Sequence, residues 1–301
     1  MASERELNKR IRSIRNISQV TSALAAVSAA KASKAQKQVE ASRDYAGKAY
    51  EILANLASQP SVGEARHPLL TARDEIKNTA VILITGDRGL AGAYNNNIIV
   101  YTERFIRALP IPAQVIAVGR KGRDLMVRRG IEVSAAFDNI PDEPAFYEIS
   151  PIAEVAIEDY LARKVDDVFI AYTDFVNFAV RNPAVRQLLP LKPLDLEAMA
   201  VSDYVKDVDV GRATGRIYNY EPGPVALLDD IVPRFTELQV YQAVLEAKAS
   251  EHSARMVAMN NATDNAAELI DYLILERNKA RQTSITNEIL DIVGGAEALT
   301  R

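Results

Sequence analysis

The stretch "LQVYQAVLEAKASEHSARMVAMNNATDNAAELIDYLILERNKA", Leu238 to Ala280, decides the fold. Leu238, Leu245, His252, Met259, Ala266, Leu273 and Ala280 fall on a strict seven-residue repeat, with Ala249, Met256 and Ile270 at companion positions four residues on. A heptad sustained this long signals a coiled coil. The part from Met259 to Thr286 is unusual, carrying Asn260, Asn261, Asn265 and Asn278 with Thr263, Thr283 and Thr286. Each costs a helix interior roughly half a kcal/mol relative to Ala. Asn260 and Asn265 are expected to pin the register against a second helix.

That second helix is expected at the other end of the chain, from Ser3 to about Ser58. There Leu7, Ile11, Ile14, Ile17, Val20, Leu24 and Val27 recur at spacings of three and four. "SQPSVG" then stops it with proline and glycine. The two rods would be roughly 80 and 90 Å long. A compact globule of this chain length has a radius of gyration of about 19 Å, too small to hold either. The expected architecture pairs residues 1–58 and 234–301 as an antiparallel coiled coil, a shaft, with residues 59–233 forming a globular α/β foot.

In that middle segment "TAVILIT", "AQVIAVG", "IEVSAAF" and "DDVFIAYTDF" read as buried strands. Helical patterns fall between them at about Ala93–Ala108, Lys121–Arg129 and Ser150–Arg163. Such alternation predicts a mainly parallel, Rossmann-like sheet with helices on its faces. Eleven of the thirteen prolines punctuate the part from Thr79 to Pro233, with Pro60 and Pro68 in the lead-in to it.

Composition narrows the function. With 301 residues, 25% charged, net charge −4 and pI about 5.5, nothing points to nucleic acid. No cysteine is present, which excludes disulfides, thiolate catalysis and Cys-ligated metals. No apolar run reaches the ~18–20 residues of a membrane span, and the N-terminus lacks the apolar core of a signal peptide. A bacterial-type cytoplasm is the expected compartment.

"LITGDRGLAGAYN" follows a strand and opens a helix, with Gly86, Gly89 and Gly92 three apart. It suits either a phosphate-cradling turn or a tight strand-to-helix turn displaying Asp87 and Arg88. The spacing matches neither the dinucleotide fingerprint nor the P-loop. Arg120, Lys121 and Arg123 form a basic turn after the next strand. Only His67 and His252 exist, and His252 sits on the heptad, as packed imidazoles do. No nucleophile–base arrangement is visible, so no catalytic residue, metal site or cofactor is expected. The segment Asn16–Ala30, "NISQVTSALAAVSAA", holds no charge in fifteen residues. Coiled coils ordinarily carry Glu and Lys outside the seam. An outer face covered by another protein explains their absence, as does close packing of small residues on the partner helix.

Four stretches carry a family resemblance: "RELNKRIRSIRNISQVTSALAAVSAAKASKAQ", "GDRGLAGAYNNN", "AYTDFVN" with "YNYEP", and the long run from Glu251 to Leu299. In these the chain resembles the γ subunit family of the F-type ATP synthase, the central rotor shaft of the catalytic head. The resemblance covers the whole chain. It implies a non-catalytic subunit, one copy per complex, coupling proton translocation through the membrane c-ring to ATP synthesis or hydrolysis at α/β sites. Implied partners are α, β, ε and the c-ring. The implied location is peripheral, on the cytoplasmic face of a bacterial inner membrane, with no direct insertion. Carried onto matching positions, Arg277, Asn278, Arg281, Gln282 and Leu24 would meet the α/β ring around the upper shaft, and Arg88 and Ala91 a β subunit lower down. Tyr218, Tyr220 and Glu221 would face the c-ring and ε. The chain departs from the family at "SALAAVSAA", where methionines and charges are common, and at Ala91, where cysteine is frequent.

Overall fold

The computed structural model describes residues 4–57, 67–191, 221 and 223–299. Helix α1, Glu4–Ala57, is 54 residues long, and its first turn carries Glu4 and Glu6, which suit the positive helix end. A short 3₁₀ turn follows at Pro68–Leu70. The α/β portion then runs β1 (Thr79–Ile84), α2 (Tyr94–Ala108), β2 (Ala113–Val118), α3 (Arg120–Arg128), β3 (Val133–Phe137), α4 (Phe146–Leu161), β4 (Asp167–Phe175) and β5 (Arg181–Leu189). Helix α5, Pro224–Leu299, closes the chain with 76 residues.

The sheet order is β3-β2-β1-β4-β5. The first four strands are parallel, and β5 returns antiparallel along β4. Every residue of β1 is buried, as its apolar run "TAVILI" requires of a central strand covered on both faces. Period-two alternation sorts these side chains. Ile82 and Ile84 join Ile116, Ile170 and Tyr172 on one face, covered by α4, by Tyr50, Leu53 and Leu56 of α1, and by Leu228, Val232 and Phe235 of α5. Val81, Leu83, Val115 and Ala117 face the other way, onto Ile98 and Ile99 of α2 and Met126 of α3.

Contacts divide the chain into two compact units: Ala29–Ala254, and Met1–Ser28 with Arg255–Arg301. Part of each long helix therefore belongs to the core of the α/β unit. Sequence texture changes at residues 58 and 233 because composition changes there, a different boundary from that of packing. Helix α5 starts ten residues before the expected Arg234 and runs through Pro233, with Val232 and Phe235 on either side fully packed. Burial offsets the backbone hydrogen bond that proline removes.

In the smaller unit the two helices run antiparallel. Leu7 and Ile11 pack on Leu273, with Ile14, Ile270, Ile274 and Ala280 around them. Farther along, the Thr21 and Thr263 hydroxyls meet at 2.7 Å. The heptad of α5 is the buried stripe: Met259, Ala266 and Leu273 are covered here, as are Leu238, Leu245 and His252 in the α/β unit. The stripe on α1 differs from expectation. It passes from Ile14 through Ser18, Thr21, Ala25 and Ser28, each at least half-buried, while Ile17, Val20 and Val27 are 54, 60 and 52% exposed. Small and hydroxyl side chains let the backbones approach, so the larger apolar residues turn outward. Asn260, Asn261 and Asn265 are exposed as well. They do not pin the register; Thr263 does, through Thr21.

Candidate interaction surfaces

The carboxyl ends of parallel strands, where the strand order reverses, are where open α/β sheets hold ligands. Here the order reverses beside β1, and the glycine turn that follows β1 lies against the ends of β2 and β3. Gly86 N–H donates to Asn95 Oδ1 at 2.8 Å. The Asp87 carboxylate accepts from Arg120 N–H at the start of α3 and from Asn139 N–H, both at 3.0 Å. It occupies the helix N-terminus that an anionic ligand would use. A Cβ at Gly86 would stand 2.8 Å from the Glu251 carboxyl of α5, which would have to shift. Between Thr85, Asp87, Tyr94, Lys248 and Glu251 the remaining cavity is about 10 Å³. That is one water's worth, against the hundreds of cubic ångströms of a nucleotide pocket. Two of the chain's own carboxylates fill the cradle, so the turn is a structural joint and not a phosphate site.

One stretch of α5, from Ala247 to Ser253, is held by loops from three strand ends. Tyr94 OH donates to Ala247 O at 3.0 Å, Lys248 Nζ to Ile140 O at 2.9 Å, Ser250 Oγ to Thr173 O at 3.1 Å and Ser253 Oγ to Phe178 O at 2.8 Å. His252 Nε2 lies 3.1 Å from Asp142, which Lys31 also reaches at 2.7 Å. Burial alone would raise the Asp142 pKa. The Lys31 hydrogen bond and the charges of His252, Lys31 and Lys248 outweigh it and hold the carboxyl below its ordinary range. His252 is thus a packed imidazole facing a carboxylate. His67 is structural as well, its Nδ1 accepting from Leu69 N–H at the start of the 3₁₀ turn.

In the smaller unit the surface is the notable feature. From Arg281 to Val293 every residue of α5 except Thr283 is exposed. Ile285, Ile289, Leu290, Ile292 and Val293 lie there at 48–71% exposure. With Ile17, Val20 and Val27 on α1 and Leu269, Tyr272 and Leu275 on α5, they form an apolar exterior on a two-helix rod. Exposed apolar side chains in this number suit protein-binding faces.

Comparison with known proteins shows which family the chain belongs to. The ATP synthase family model matches residues 3–299. A protein named ATP synthase gamma chain from Dehalococcoides mccartyi is 46% identical over 299 residues, covering 99% of this chain and all of that one. Gamma chains from Moorella thermoacetica and Chloroflexus aurantiacus are 44 and 42% identical, covering 99 and 100% of this chain and all of each relative. The chain belongs to the ATP synthase gamma chain family. Solved structures agree on the fold. A chain of the Euglena gracilis mitochondrial ATP synthase superposes with TM-score 0.66 at 21% identity, covering 98% of this chain and 94% of that one. A Tetrahymena thermophila mitochondrial ATP synthase chain, from a central stalk and c-ring structure, gives 0.61 at 24% identity, covering 81 and 99%. The expected class holds: long terminal helices and a mainly parallel α/β sheet, the fold of these solved chains.

The residues singled out by resemblance to this gamma chain family are distributed unevenly. Arg281 and Gln282 are exposed on α5, whereas Arg277 and Asn278 are half-buried, with Arg277 donating to Asn278 Oδ1 at 3.1 Å. Leu24 is half-buried beside the seam. Arg88 is exposed, but Ala91 is buried with Tyr94 and Ala254. Glu221 is exposed; Tyr218 and Tyr220 lie outside the described residues. The apolar face from Ile285 to Val293 was not anticipated. Its signal was "SITNEILDIV", apolar positions on a helix longer than its partner.

Proposed function

We propose that this gamma chain is the asymmetric rotating shaft of its ATP synthase, with residues 1–58 and 234–301 as shaft and 59–233 as foot. It couples proton translocation through a c-ring to synthesis or hydrolysis of ATP at the α/β sites. Three identical catalytic sites differ only if something asymmetric contacts each differently, and a shaft shifts each site's equilibrium by the difference in contact energy it supplies. Driving a site from one conformation almost fully to another takes about 5.5 kcal/mol of such difference. The observation that carries this reading is the uncovered apolar exterior of the two-helix unit. At about 1 kcal/mol for each half-exposed Ile, Leu or Val that a partner covers, the five between Ile285 and Val293 set an upper bound of about 5 kcal/mol on the difference they can supply.

Chemistry then belongs wholly to the partners, and this chain contributes no catalytic residue. Arg277, Asn278, Arg281, Gln282 and Leu24 face the α/β ring, Arg88 and its turn a β subunit, and Tyr218, Tyr220 and Glu221 the c-ring and ε. One copy sits peripherally at the cytoplasmic face of a bacterial inner membrane. Among the described residues no helix is long and apolar enough to cross a membrane. The test is co-expression with α, β and ε: a complex with ATPase activity that the chain alone lacks is expected. ATP turnover by the purified chain, abolished by changing Arg88, would overturn the reading.

A further inference from the structure

An apolar cavity opens where α1, α5 and the first residue of α4 meet, all of it within the unit Ala29–Ala254. Its volume is about 300 Å³, at the lower end of the ~300–1,000 Å³ of small-molecule sites. Buried Phe235 and Leu238 of α5 line it, with Tyr45, Ile52 and Phe146 around them at 68, 42 and 40% exposure. The Phe146 ring meets Tyr241 edge-on at 5.5 Å between centroids, and the Tyr241 hydroxyl donates to Pro144 O at 3.2 Å, so this wall is preordered. Two cations complete the lining, Lys48 and Arg234. Lys48 is offset by Glu51, at 2.6 Å. Arg234 is exposed, and its guanidinium makes no hydrogen bond or ion pair to any described residue. The lining therefore carries an uncompensated positive charge beside apolar walls.

We propose that this cavity binds a medium-chain fatty-acid carboxylate, its hydrocarbon chain against Ile52, Phe235 and Leu238 and its head held by the Arg234 guanidinium. A planar, forked cation matches a carboxylate with two parallel hydrogen bonds. An apolar wall with few polar groups takes the rest of such a ligand. The same guanidinium disfavours an apolar segment of a neighbouring protein as the occupant, since covering it that way would desolvate the charge without giving it a partner. The site stands apart from the glycine turn and from the apolar exterior of the smaller unit, and it does not depend on the shaft reading.

Isothermal titration of the full chain with sodium decanoate, kept below micelle formation, tests this. Binding of a single molecule per chain is expected, with 1-decanol, which lacks the charge, at least tenfold weaker. Arg234→Gln should weaken decanoate at least tenfold and leave 1-decanol unchanged. Ile52→Trp, which fills the cavity, should weaken both. Both positions are exposed, so circular dichroism and the unfolding midpoint should match the parent. Equal affinity of decanoate for the parent and Arg234→Gln, or for the parent and Ile52→Trp, overturns the proposal. The titration is then repeated on the complex with α, β and ε. Arg234-dependent binding of the same strength is expected there; its loss would assign the cavity to a partner subunit and overturn the proposal as well.

Discussion

Replacing Ile285, Ile289 and Ile292 together by serine probes whether the end of α5 is built for a partner. The three lie on one stripe and are 48, 55 and 71% exposed. Serine and isoleucine have nearly equal helix propensity, so the helix itself barely changes. Exposed substitutions away from any special feature move stability by about 0.5 kcal/mol at most. In the isolated chain, circular dichroism and the urea midpoint should therefore match the parent. Burying a whole Ile is worth about 1.5–3 kcal/mol, and roughly half of each remains to be covered by a partner. The triple variant should then lose about 3 kcal/mol of docking energy, on the order of a hundredfold in affinity. Competition between tagged variant and untagged parent for limiting α and β during assembly measures this. Two results refute the reasoning: equal incorporation of both chains, or a drop of more than about 2 kcal/mol in the isolated variant. The second would mean that the chain itself covers these residues.

Three further outcomes follow from the geometry. Gly119→Ala should destabilise the α/β unit by about 3 kcal/mol or more, because its Cβ would stand 2.2 Å from the Thr85 carbonyl oxygen at φ +99°; chemical denaturation of the full chain reads it. Asp166→Asn should lower the urea midpoint at neutral pH. Burial raises the Asp166 pKa, but hydrogen bonds from Lys77 and Asn78 N–H and the Arg73 charge outweigh it and hold the carboxyl below 3.8. Its contribution is complete above that unfolded-state value and disappears as pH falls through the lower folded one, so parent and variant should begin to converge only as pH falls below about 4. Thr21→Val should cost about 1 kcal/mol by removing the hydroxyl pair, since Thr263 still donates to Met259 O at 2.9 Å, and a double-mutant cycle with Thr263→Val should show a coupling of about the same size.

The sequence revealed period more reliably than it revealed facing. The α5 heptad is a single repeat of mostly apolar residues, and every position from Leu238 to Leu273 is buried as read. On α1 the same rule misled after Ile14, because it equates large apolar residues with the seam. The true seam is Ser18, Thr21, Ala25 and Ser28, and Ile17, Val20 and Val27 serve the outside. No periodicity separates a residue buried by its own chain from one reserved for a neighbour. Strands β1 to β4 were legible as β-branched runs. β5 was not: "RNPAVRQLL" is polar and contains Pro183, a pattern tolerated at a sheet edge, where β5 lies. Pro151 hid the true start of α4 at Phe146. The glycine turn was visible, but only the fold shows that Asp87 and Glu251 fill it. That Ala91 is buried while Leu90, at φ +63°, is exposed depends on a single backbone angle which composition does not encode.

The central claim is that this chain turns inside its complex while others do the chemistry. Tyr147, 76% exposed on α4, offers a place to watch it. A probe attached through Tyr147→Cys, with the α/β ring fixed to a surface, should rotate in one direction when ATP is supplied and stop when ATP is withdrawn. Steady ATP turnover by the same molecules with a stationary probe would contradict the account.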